Sequence, residues 1–448
     1  MRAKLDIAAA TEEATSVLQR LIRFDTTNPP GNEAECARWA AGVLESEGIP
    51  AAVFEPAPGR GSVVARLPGT GRKRPIVLLS HLDVVPAVAA DWEQDPFGGD
   101  IVDGHVWGRG ALDMKNLAAT WMVLLLHAKR LGLELDRDLV FVGAADEEAL
   151  GTWGAKWLVE NRPEISGCDY VINEGGGEGR DFSGKTVYTF QTAEKGVCWL
   201  RVTASGTAGH ASMPHDDNPV VHLTEALGKL GRTRLPLHVT DTFGLFIDGL
   251  ARALPEPLNQ AIKLVLDENT AESILTALPD RYAANAIRAM SRNTATPTVV
   301  KAGEKTNVIP QTATAEIDCR ILPGQSAETL LDEIRHALGP EGGPQDKLRF
   351  EIISTNPATE SPPETPLAQA VARAVALHAP DAAVVPFLLP AATDSRFFRE
   401  RGVVAYGFSP LLPGEDLASV HGKNERISIA SLEFGLKVLW DVLMDVAG

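Results

Sequence analysis

The sequence lacks a hydrophobic segment long enough to cross a membrane. A membrane-spanning helix needs about 18 consecutive apolar residues, and the candidate at residues 121–126 is far shorter. The first 23 residues have the pattern of an amphipathic helix, without the apolar centre of a signal peptide. We therefore expect no membrane partner.

Cysteine is scarce, with four residues in a chain of 448, and the four do not occur at paired spacings. This pattern argues against a disulfide framework and against a cysteine-based metal cluster. Free, buried thiols in a reducing cytoplasm fit the sequence best. The residues concerned are Cys36, Cys168, Cys198 and Cys319.

Positive charge is also in short supply. The chain has 42 Lys and Arg against 59 Asp and Glu, which gives a net charge of −17. An excess of this sign disfavours nucleic acid as a partner. The remaining composition, 44% hydrophobic and 23% charged, is typical of a globular protein long enough for two domains.

Short apolar runs alternate with helical patterns in the first part of the chain. Runs at 75–80, 138–143 and 170–173 predict buried strands, and the segments between them predict helices. Such alternation is typical of an α/β fold, with a mixed, mostly parallel sheet sandwiched by helices.

The texture changes near residue 196, where alternating strand patterns begin. We expect an inserted α+β lid or dimerisation domain over residues 195–325. Residues 1–194 and 326–448 would then form the two parts of the catalytic domain. The stretch 240–293 shows no clear helix or strand boundaries.

Polar residues follow several of the predicted strands. His81, Glu147, Glu148 and Glu174 each come at a strand end, and Asp113 follows in a loop. In largely parallel sheets the ligand site lies beyond the carboxyl ends of the strands. We therefore expect these side chains to lie at one edge of the sheet.

The candidate metal ligands are two imidazoles, those of His81 and His421, and three carboxylates, those of Asp113, Glu148 and Glu174. Mixed nitrogen and oxygen ligands suit zinc, cobalt or manganese, and one shared carboxylate would hold two ions close together. In the Glu147-Glu148 pair, one acid would bind metal while the other handles a proton. The alternative for this pair is a solvated acidic turn, and for His81-x-Asp83 an ordinary surface or core pair.

Three motifs in order carry a family resemblance. Residues 80–86 (Ser-His-Leu-Asp-Val-Val-Pro), 108–115 (Gly-Arg-Gly-Ala-Leu-Asp-Met-Lys) and 146–151 (Asp-Glu-Glu-Ala-Leu-Gly) resemble the signatures of the dinuclear zinc amidohydrolases. That superfamily includes aminoacylase, acetylornithine deacetylase, succinyl-diaminopimelate desuccinylase and glutamate carboxypeptidase. The resemblance covers nearly the whole chain and implies a zinc-peptidase-like catalytic domain that binds two divalent ions, with zinc as the expected metal.

The resemblance also implies a role for each site residue. The peptide bond between Asp113 and Met114 would be cis. The implied roles are one zinc on His81 and Glu174, the other on Glu148 and His421, a bridging Asp113, Asp83 as the residue that orients His81, and Glu147 as the general base.

The segment 206–214 is similar to the small lid domain of the same family. His210 would stabilise the oxyanion, often from the other subunit of a homodimer. Asn307 and Arg320 would contact the substrate, with Arg320 clamping its carboxylate; the alternatives are a turn for Asn307 and a sheet-edge ion pair for Arg320. Gly407 belongs to a loop that would border the substrate.

Two features depart from the family pattern. Ala391-Ala392 replaces a Gly-Gly pair that relatives often show before Thr-Asp, and the 240–293 segment is longer than compact lids. Both departures leave the substrate open.

The sequence therefore predicts a metal-dependent hydrolase of an amide bond. Its substrate would be an N-acyl amino acid or a short peptide with a free carboxylate, attacked by a water that two metal ions and a Glu base activate. The alternatives are a biosynthetic deacylase of the acetylornithine or succinyl-diaminopimelate type, and an inactive relative that serves as a binding protein.

Overall fold

A computed structural model describes residues 4–339 and 344–448. Its strands, in chain order, are β1 (Ala51–Phe54), β2 (Ser62–Leu67), β3 (Ile76–His81), β4 (Ile101–Val102), β5 (His105–Trp107), β6 (Leu139–Ala144), β7 (Tyr170–Asn173), β8 (Gly179–Phe182), β9 (Lys185–Glu194), β10 (Gly196–Ser205), β11 (Gly209–His210), β12 (Thr294–Ala302), β13 (Val308–Ile309), β14 (Thr312–Ile321), β15 (Leu348–Asn356), β16 (Thr359–Glu360), β17 (Ala383–Leu389), β18 (Val404–Gly407) and β19 (Arg426–Ser428).

The α-helices account for most of the remaining regular structure. In chain order they are α1 (Ile7–Ile22), α2 (Ala34–Ser46), α3 (Lys115–Arg130), α4 (Ala155–Asn161), α5 (Pro163–Ser166), α6 (Pro219–Leu230), α7 (Asp241–Ala253), α8 (Leu258–Lys263), α9 (Glu268–Ala277), α10 (Arg281–Ser291), α11 (Ala327–Leu338), α12 (Pro366–His378), α13 (Ser395–Arg399) and α14 (Ile429–Ala447).

The chain divides into two compact units. The first consists of Met1–Thr192, Ser361–Phe387 and Thr393–Gly448, and the second of Ala193–Glu360 with Leu388–Ala392.

A mixed sheet forms the centre of the first unit, with strand order β1-β2-β6-β3-β7-β18-β9. Strands β6, β3, β7 and β18 run parallel to one another, whereas β1 pairs antiparallel with β2, β2 with β6 and β18 with β9. The predicted mostly parallel sheet is therefore confirmed.

Helices cover both faces of this sheet, as strand β3 shows. Because successive side chains of a strand point to opposite faces, Ile76 and Leu78 pack with helices α1, α3 and α14, and Val77 and Leu79 pack with α4 and α13. All four side chains are fully buried. The apolar run that precedes His81 thus fixes the end of β3 in the centre of the sheet.

The second unit has an antiparallel sheet of its own, with order β12-β14-β10-β15. Helices α6 and α11 cover one face, where Leu200, Ile317 and Ile334 share a hydrophobic core. Strand β14 shows the half-buried alternation that the sequence predicted.

The predicted boundary at residue 325 is wrong. Helix α11 and strand β15 follow that position and belong to the second unit, which continues to Glu360. The reason is pairing: β15 adds to the free side of β10, with Leu200 opposite Ile352, and so completes the sheet.

The stretch 240–293, which showed no boundaries in the sequence, contains helices α7 to α10. Polar residues do cap three of them, since Thr240, Asp267 and Asp280 each accept a hydrogen bond from a main-chain N–H in the first turn. These caps were the helix-start signals in a segment that otherwise reads ambiguously.

In the part of the chain that the structure describes, no helix combines the length and the apolar character needed to cross a membrane. The four cysteines are free and buried. Burial raises the pKa of the Cys36 thiol to about 11 and that of Cys168 to about 12. The thiolate is the reactive form of cysteine. These buried thiols should therefore react slowly, because reagents cannot reach them and because they stay protonated.

We expect a thiol reagent at pH 8 to label close to none of the cysteines in the native protein and all four after denaturation. Counting modified thiols by mass spectrometry checks this. Rapid labelling of a cysteine in the native protein would contradict the buried assignment.

Candidate metal centre

His81 is the last residue of β3, and its ring has a defined hydrogen-bonding pattern. The Nδ1 atom lies 2.9 Å from the main-chain oxygen of Asp83. Because a carbonyl oxygen only accepts, Nδ1 carries a proton. Nε2 is therefore the nitrogen of His81 that could bind a metal ion, once it has lost any proton of its own.

Two carboxylates face that nitrogen. The Oδ1 atom of Asp113 lies 3.1 Å and the Oε1 atom of Glu174 lies 3.6 Å from His81 Nε2. These three residues form one group that could hold a metal ion.

A second group shares Asp113. His421 Nε2 lies 3.0 Å from the other oxygen of Asp113, Oδ2, and 3.2 Å from Glu148 Oε2. These three form the second candidate site. The structure thus brings all five predicted ligands together, with one Asp113 oxygen directed at each histidine.

The donor atoms fit divalent ions. Ligand atoms around a tetrahedral zinc ion lie about 3.3 Å apart, given bond lengths of about 2.0–2.1 Å, and the observed separations are 3.0–3.6 Å. The remaining oxygen of Glu148, Oε1, is buried and has no hydrogen-bond partner. A cation between these groups would satisfy electron pairs that otherwise face one another.

The same charges raise the affinity of both histidines for protons. Hydrogen bonds to Asp113 and Glu148 raise the pKa of His421 to about 10. Burial alone would lower the pKa of His81, but Glu174, Asp113 and Asp83 outweigh it and raise that pKa well above 6.5. A metal ion must therefore displace protons to bind here.

Asp83 contacts a wider set of partners than the one predicted. Its carboxylate oxygen lies 3.6 Å from His81 Nδ1, and it accepts hydrogen bonds from the main-chain N–H groups of Glu147, at 3.1 Å, and Glu148, at 3.0 Å. The carboxylate therefore fixes the turn that carries Glu147 and Glu148, while the main-chain oxygen of the same residue orients His81.

That turn has an uncommon conformation. Asp146 and Leu150 both have positive φ, at 72° and 78°, which costs a residue with a side chain about 1–2 kcal/mol.

Burial, followed by the charge of Glu174, raises the pKa of Glu147 well above 4.5. A carboxylate with a raised pKa accepts a proton more readily, which suits it to proton transfer.

Sequence reasoning missed Glu425, which positions Asp113, the residue that the two groups share. Its buried carboxylate accepts hydrogen bonds from the main-chain N–H groups of Leu112, at 2.7 Å, and Asp113, at 3.0 Å. Arg109 holds it in place with an ion pair of 2.6 Å and also donates to the main-chain oxygen of Gly422. The available signal was an acid four residues after His421 in an otherwise polar loop.

Two further predictions concern the backbone. The Asp113–Met114 peptide is cis, as expected. Gly407 ends β18 so close to Glu174 that an added Cβ would lie 1.9 Å from the Glu174 main-chain oxygen. A glycine at position 407 is thus needed for the observed placement of Glu174. The predicted contact of Gly407 with substrate stays a prediction.

The remaining predicted site residues belong to the second unit. His210 on β11 is exposed and pairs with Val308, and the main-chain N–H of Ala211 donates to the oxygen of Asn307, so these two sites are neighbours. Asn307 lies in a turn, which was its alternative assignment.

Arg320 does form an ion pair, but on an inner strand. Its Nε and Nη2 atoms donate to the two carboxylate oxygens of Asp318 at 2.7 and 3.0 Å. Strand β14 lies between β12 and β10. The ion pair that was the alternative prediction for Arg320 therefore exists, but it lies on an inner strand and not at the edge of the sheet.

Comparison with known proteins decides the family. The model of Peptidase family M20/M25/M40 matches residues 77–445. The chain belongs to this family. Because the match includes every predicted ligand, the histidine–carboxylate groups lie within the family's own domain, and the chain is a hydrolase of this metallopeptidase class.

Curated relatives support the same assignment. The chain is 31% identical over 373 residues to N-fatty-acyl-amino acid synthase/hydrolase PM20D1 of Xenopus tropicalis, covering 80% of this chain and 70% of the relative. It is 24% identical to aminoacylase-1 of Sus scrofa, covering 97% and 95%.

Solved structures confirm the fold. The M20 family metallo-carboxypeptidase Sso-CP2 from Sulfolobus solfataricus superimposes with a TM-score of 0.70 at 18% identity, covering 96% of this chain and 98% of that one. Human carnosine dipeptidase 1 gives a TM-score of 0.67 at 18% identity, covering 98% and 97%.

We expect gently purified protein to bind close to two divalent ions per chain, and His81→Ala to lower that number. Since the histidine pKa values are raised, metal affinity should increase as the pH rises from about 6.5 toward 10, with protons released on binding. Elemental analysis and calorimetry in buffers of different ionisation enthalpy measure both. An unchanged metal content in His81→Ala, or binding without proton release, would contradict the assignment.

Proposed function

We propose that this protein hydrolyses the amide bond of N-acyl amino acids. The observation that carries the proposal is the pair of histidine–carboxylate groups that share Asp113, with Glu147 directly beside the ligand Glu148. Two divalent ions bound there would acidify a water and polarise the scissile carbonyl.

The protein's own part in the reaction belongs to Glu147. It would take a proton from the attacking water and deliver it to the leaving nitrogen. Its place on a turn fixed by Asp83 keeps the carboxylate at a constant position, which general base catalysis requires.

The names of the relatives favour an acyl amino acid over other amides. Both PM20D1 and aminoacylase-1 are named for activity on such compounds. A second candidate, cleavage of the C-terminal residue of a short peptide, is favoured by the similarity to a probable carboxypeptidase S-like protein of Dictyostelium discoideum, at 28% identity over 369 residues.

A panel of substrates tests the proposal. Metal-loaded protein should release free amino acid from N-acetyl and longer N-acyl amino acids faster than from dipeptides, as followed by amine detection. Preference for acetylornithine or succinyl-diaminopimelate would favour a biosynthetic deacylase. No turnover with any compound would favour the inactive binding relative, although Glu147 and the ligands are present.

Three further assignments belong to the same proposal. Zinc is the proposed metal, since mixed imidazole and carboxylate ligands suit it, with cobalt or manganese as alternatives. The proposed location is the cytoplasm, in keeping with four free cysteines. Arg320 and Asn307 would contact the substrate, and Arg320 must exchange its Asp318 partner to bind the substrate carboxylate.

Replacement of Glu147 by Gln should remove the proton acceptor and keep the shape. We expect kcat to fall by about 10²–10⁴, the usual scale for general acid–base catalysis, while metal content stays near that of the unmodified protein. Steady-state kinetics and elemental analysis provide the two readouts. Near-normal turnover would remove Glu147 from the mechanism.

We also propose that the protein forms a two-fold homodimer through the second unit and that His210 acts across it. The ring of His210 supports a donor role, because the main-chain N–H of Ser212 donates to Nδ1 at 3.2 Å. In the neutral ring the proton then lies on Nε2. That N–H could stabilise the developing oxyanion.

Mixed dimers test this proposal. His210→Ala and Glu147→Gln subunits should each be inactive, and a heterodimer of the two should regain activity, because one of its sites then has both groups intact. His210→Ala should also keep its metal content and its melting temperature.

Two results would contradict action across a dimer. One is a monomer in sedimentation experiments, and the other is no recovered activity after subunit exchange has been verified by mass spectrometry. Either result would favour a His210 supplied from within the same chain, with helices α7 to α10 enlarging the lid.

A further inference from the structure

A buried polar network lies behind the turn that carries Glu147, and the reaction as described makes no use of it. Its centre is Arg60, whose side chain is 12% exposed. Arg60 Nη1 pairs with Glu33 Oε1 at 2.7 Å, and Nη2 lies 2.8 Å from Asn28 Oδ1 and 3.2 Å from Asp146 Oδ1.

Arg60 determines which way the Asn28 amide points. A guanidinium only donates hydrogen bonds, so the atom of Asn28 that faces Arg60 must be the oxygen. The Nδ2 group is then directed at Asp83 Oδ2, at 2.8 Å. The backbone of Asn28 is itself fixed, because its N–H donates to the main-chain oxygen of Val84.

The network reaches the catalytic turn by two routes. Through Asn28 it contacts the Asp83 carboxylate, which holds the N–H groups of Glu147 and Glu148. Directly, it contacts Asp146, whose second oxygen accepts the N–H of Trp153 at 3.0 Å. Both ends of the turn are therefore tied to one cation.

Charge makes Arg60 hard to replace. The carboxylates of Glu33, Asp83 and Asp146 are buried, and Arg60 either pairs with them or acts on them through one amide. Without the guanidinium, Asp83 and Asp146 would repel each other in a region of low dielectric constant. The turn between them, with its two left-handed residues, would then lose the contacts that fix it.

We propose that Arg60 is a positioning residue that acts through Asn28, Asp83 and Asp146 to hold the Glu147–Glu148 turn in its reactive geometry. The inference rests on the proposed function, since it assigns Glu147 the role of base. A displacement of a reacting group by about 1 Å costs roughly 10²-fold in rate.

Arg60→Gln removes the positive charge and the paired N–H donors of the guanidinium. Arg60→Lys keeps the charge but not the paired donors. We expect kcat to fall by about 10²-fold in Arg60→Gln and by less in Arg60→Lys, with KM changed little. Arg38→Gln is the matched control, because Arg38 forms an exposed pair with Glu55 nearby; it should behave as the unmodified protein.

Amide exchange gives a readout that does not depend on activity. In the metal-free protein, deuterium uptake by a peptide spanning residues 145–153 should speed up in Arg60→Gln, because the N–H groups of Glu147, Glu148 and Trp153 lose their fixed acceptors. Arg38→Gln should leave that uptake unchanged. Should Arg60→Gln fail to fold, the same measurements on Arg60→Lys decide.

A double-mutant cycle separates positioning from general stability. If Arg60 acts through the base, adding Arg60→Gln to Glu147→Gln should lower kcat hardly further. If Arg60 only supports the fold, the two reductions should multiply. Multiplying effects, or unchanged exchange at 145–153, would overturn the inference, whereas an unmodified enzyme without amide hydrolysis would instead reject the proposed function.

Discussion

The structure is organised around a concentration of negative charge that needs cations. Three carboxylates and two imidazoles meet at the carboxyl edge of a buried sheet, with 3.0–3.6 Å between each histidine nitrogen and the carboxylate oxygens that face it. Burial weakens the screening by water, so the mutual repulsion of these acids is strong. The raised pKa values of His81 and His421 are the electrostatic signature of that repulsion. Divalent ions bound there would offset this repulsion and would take the place of the protons.

The same hydrogen-bonding arrangement fixes the acidic side chains in two places. In each, a buried carboxylate accepts hydrogen bonds from main-chain N–H groups and so fixes the conformation of a loop. Asp83 does this for the turn that carries Glu147 and Glu148. Glu425 does it for the loop that carries Asp113. The carboxylate of Glu425 is itself held by the guanidinium of Arg109, and the carboxylate of Asp83 by the side-chain amide of Asn28.

Most of the residues that the structure groups as candidate metal ligands could be picked out in the sequence because they follow strands with a clear pattern. The run Ile76–Leu79 is apolar on both faces, as a central parallel strand must be, and His81 follows it directly. Glu174 and the Glu147–Glu148 pair were found for the same reason.

Residues that act through long-range contacts gave no such signal. Arg60 and Glu425 lie in loops whose spacing has no period, and their partners are distant in the chain. The boundary at 325 was wrong for a related reason. Nothing local marks β15 as a partner of β10, since strand pairing is a property of the folded chain.

Strand β18 lies between β7 and β9 although it is far later in the chain. Its neighbours must therefore wait, with their facing N–H and C=O groups unpaired, until residues 404–407 have been synthesised. The last ligand, His421, arrives later still. Almost the whole polypeptide must therefore be synthesised before the central sheet can be completed and the second candidate metal group assembled. A chain that stops before residue 404 has unpaired strand edges in this sheet and lacks His421. Truncation before His421 would therefore remove part of the candidate metal centre, and truncation before β18 would also expose unpaired strand edges that are prone to aggregation.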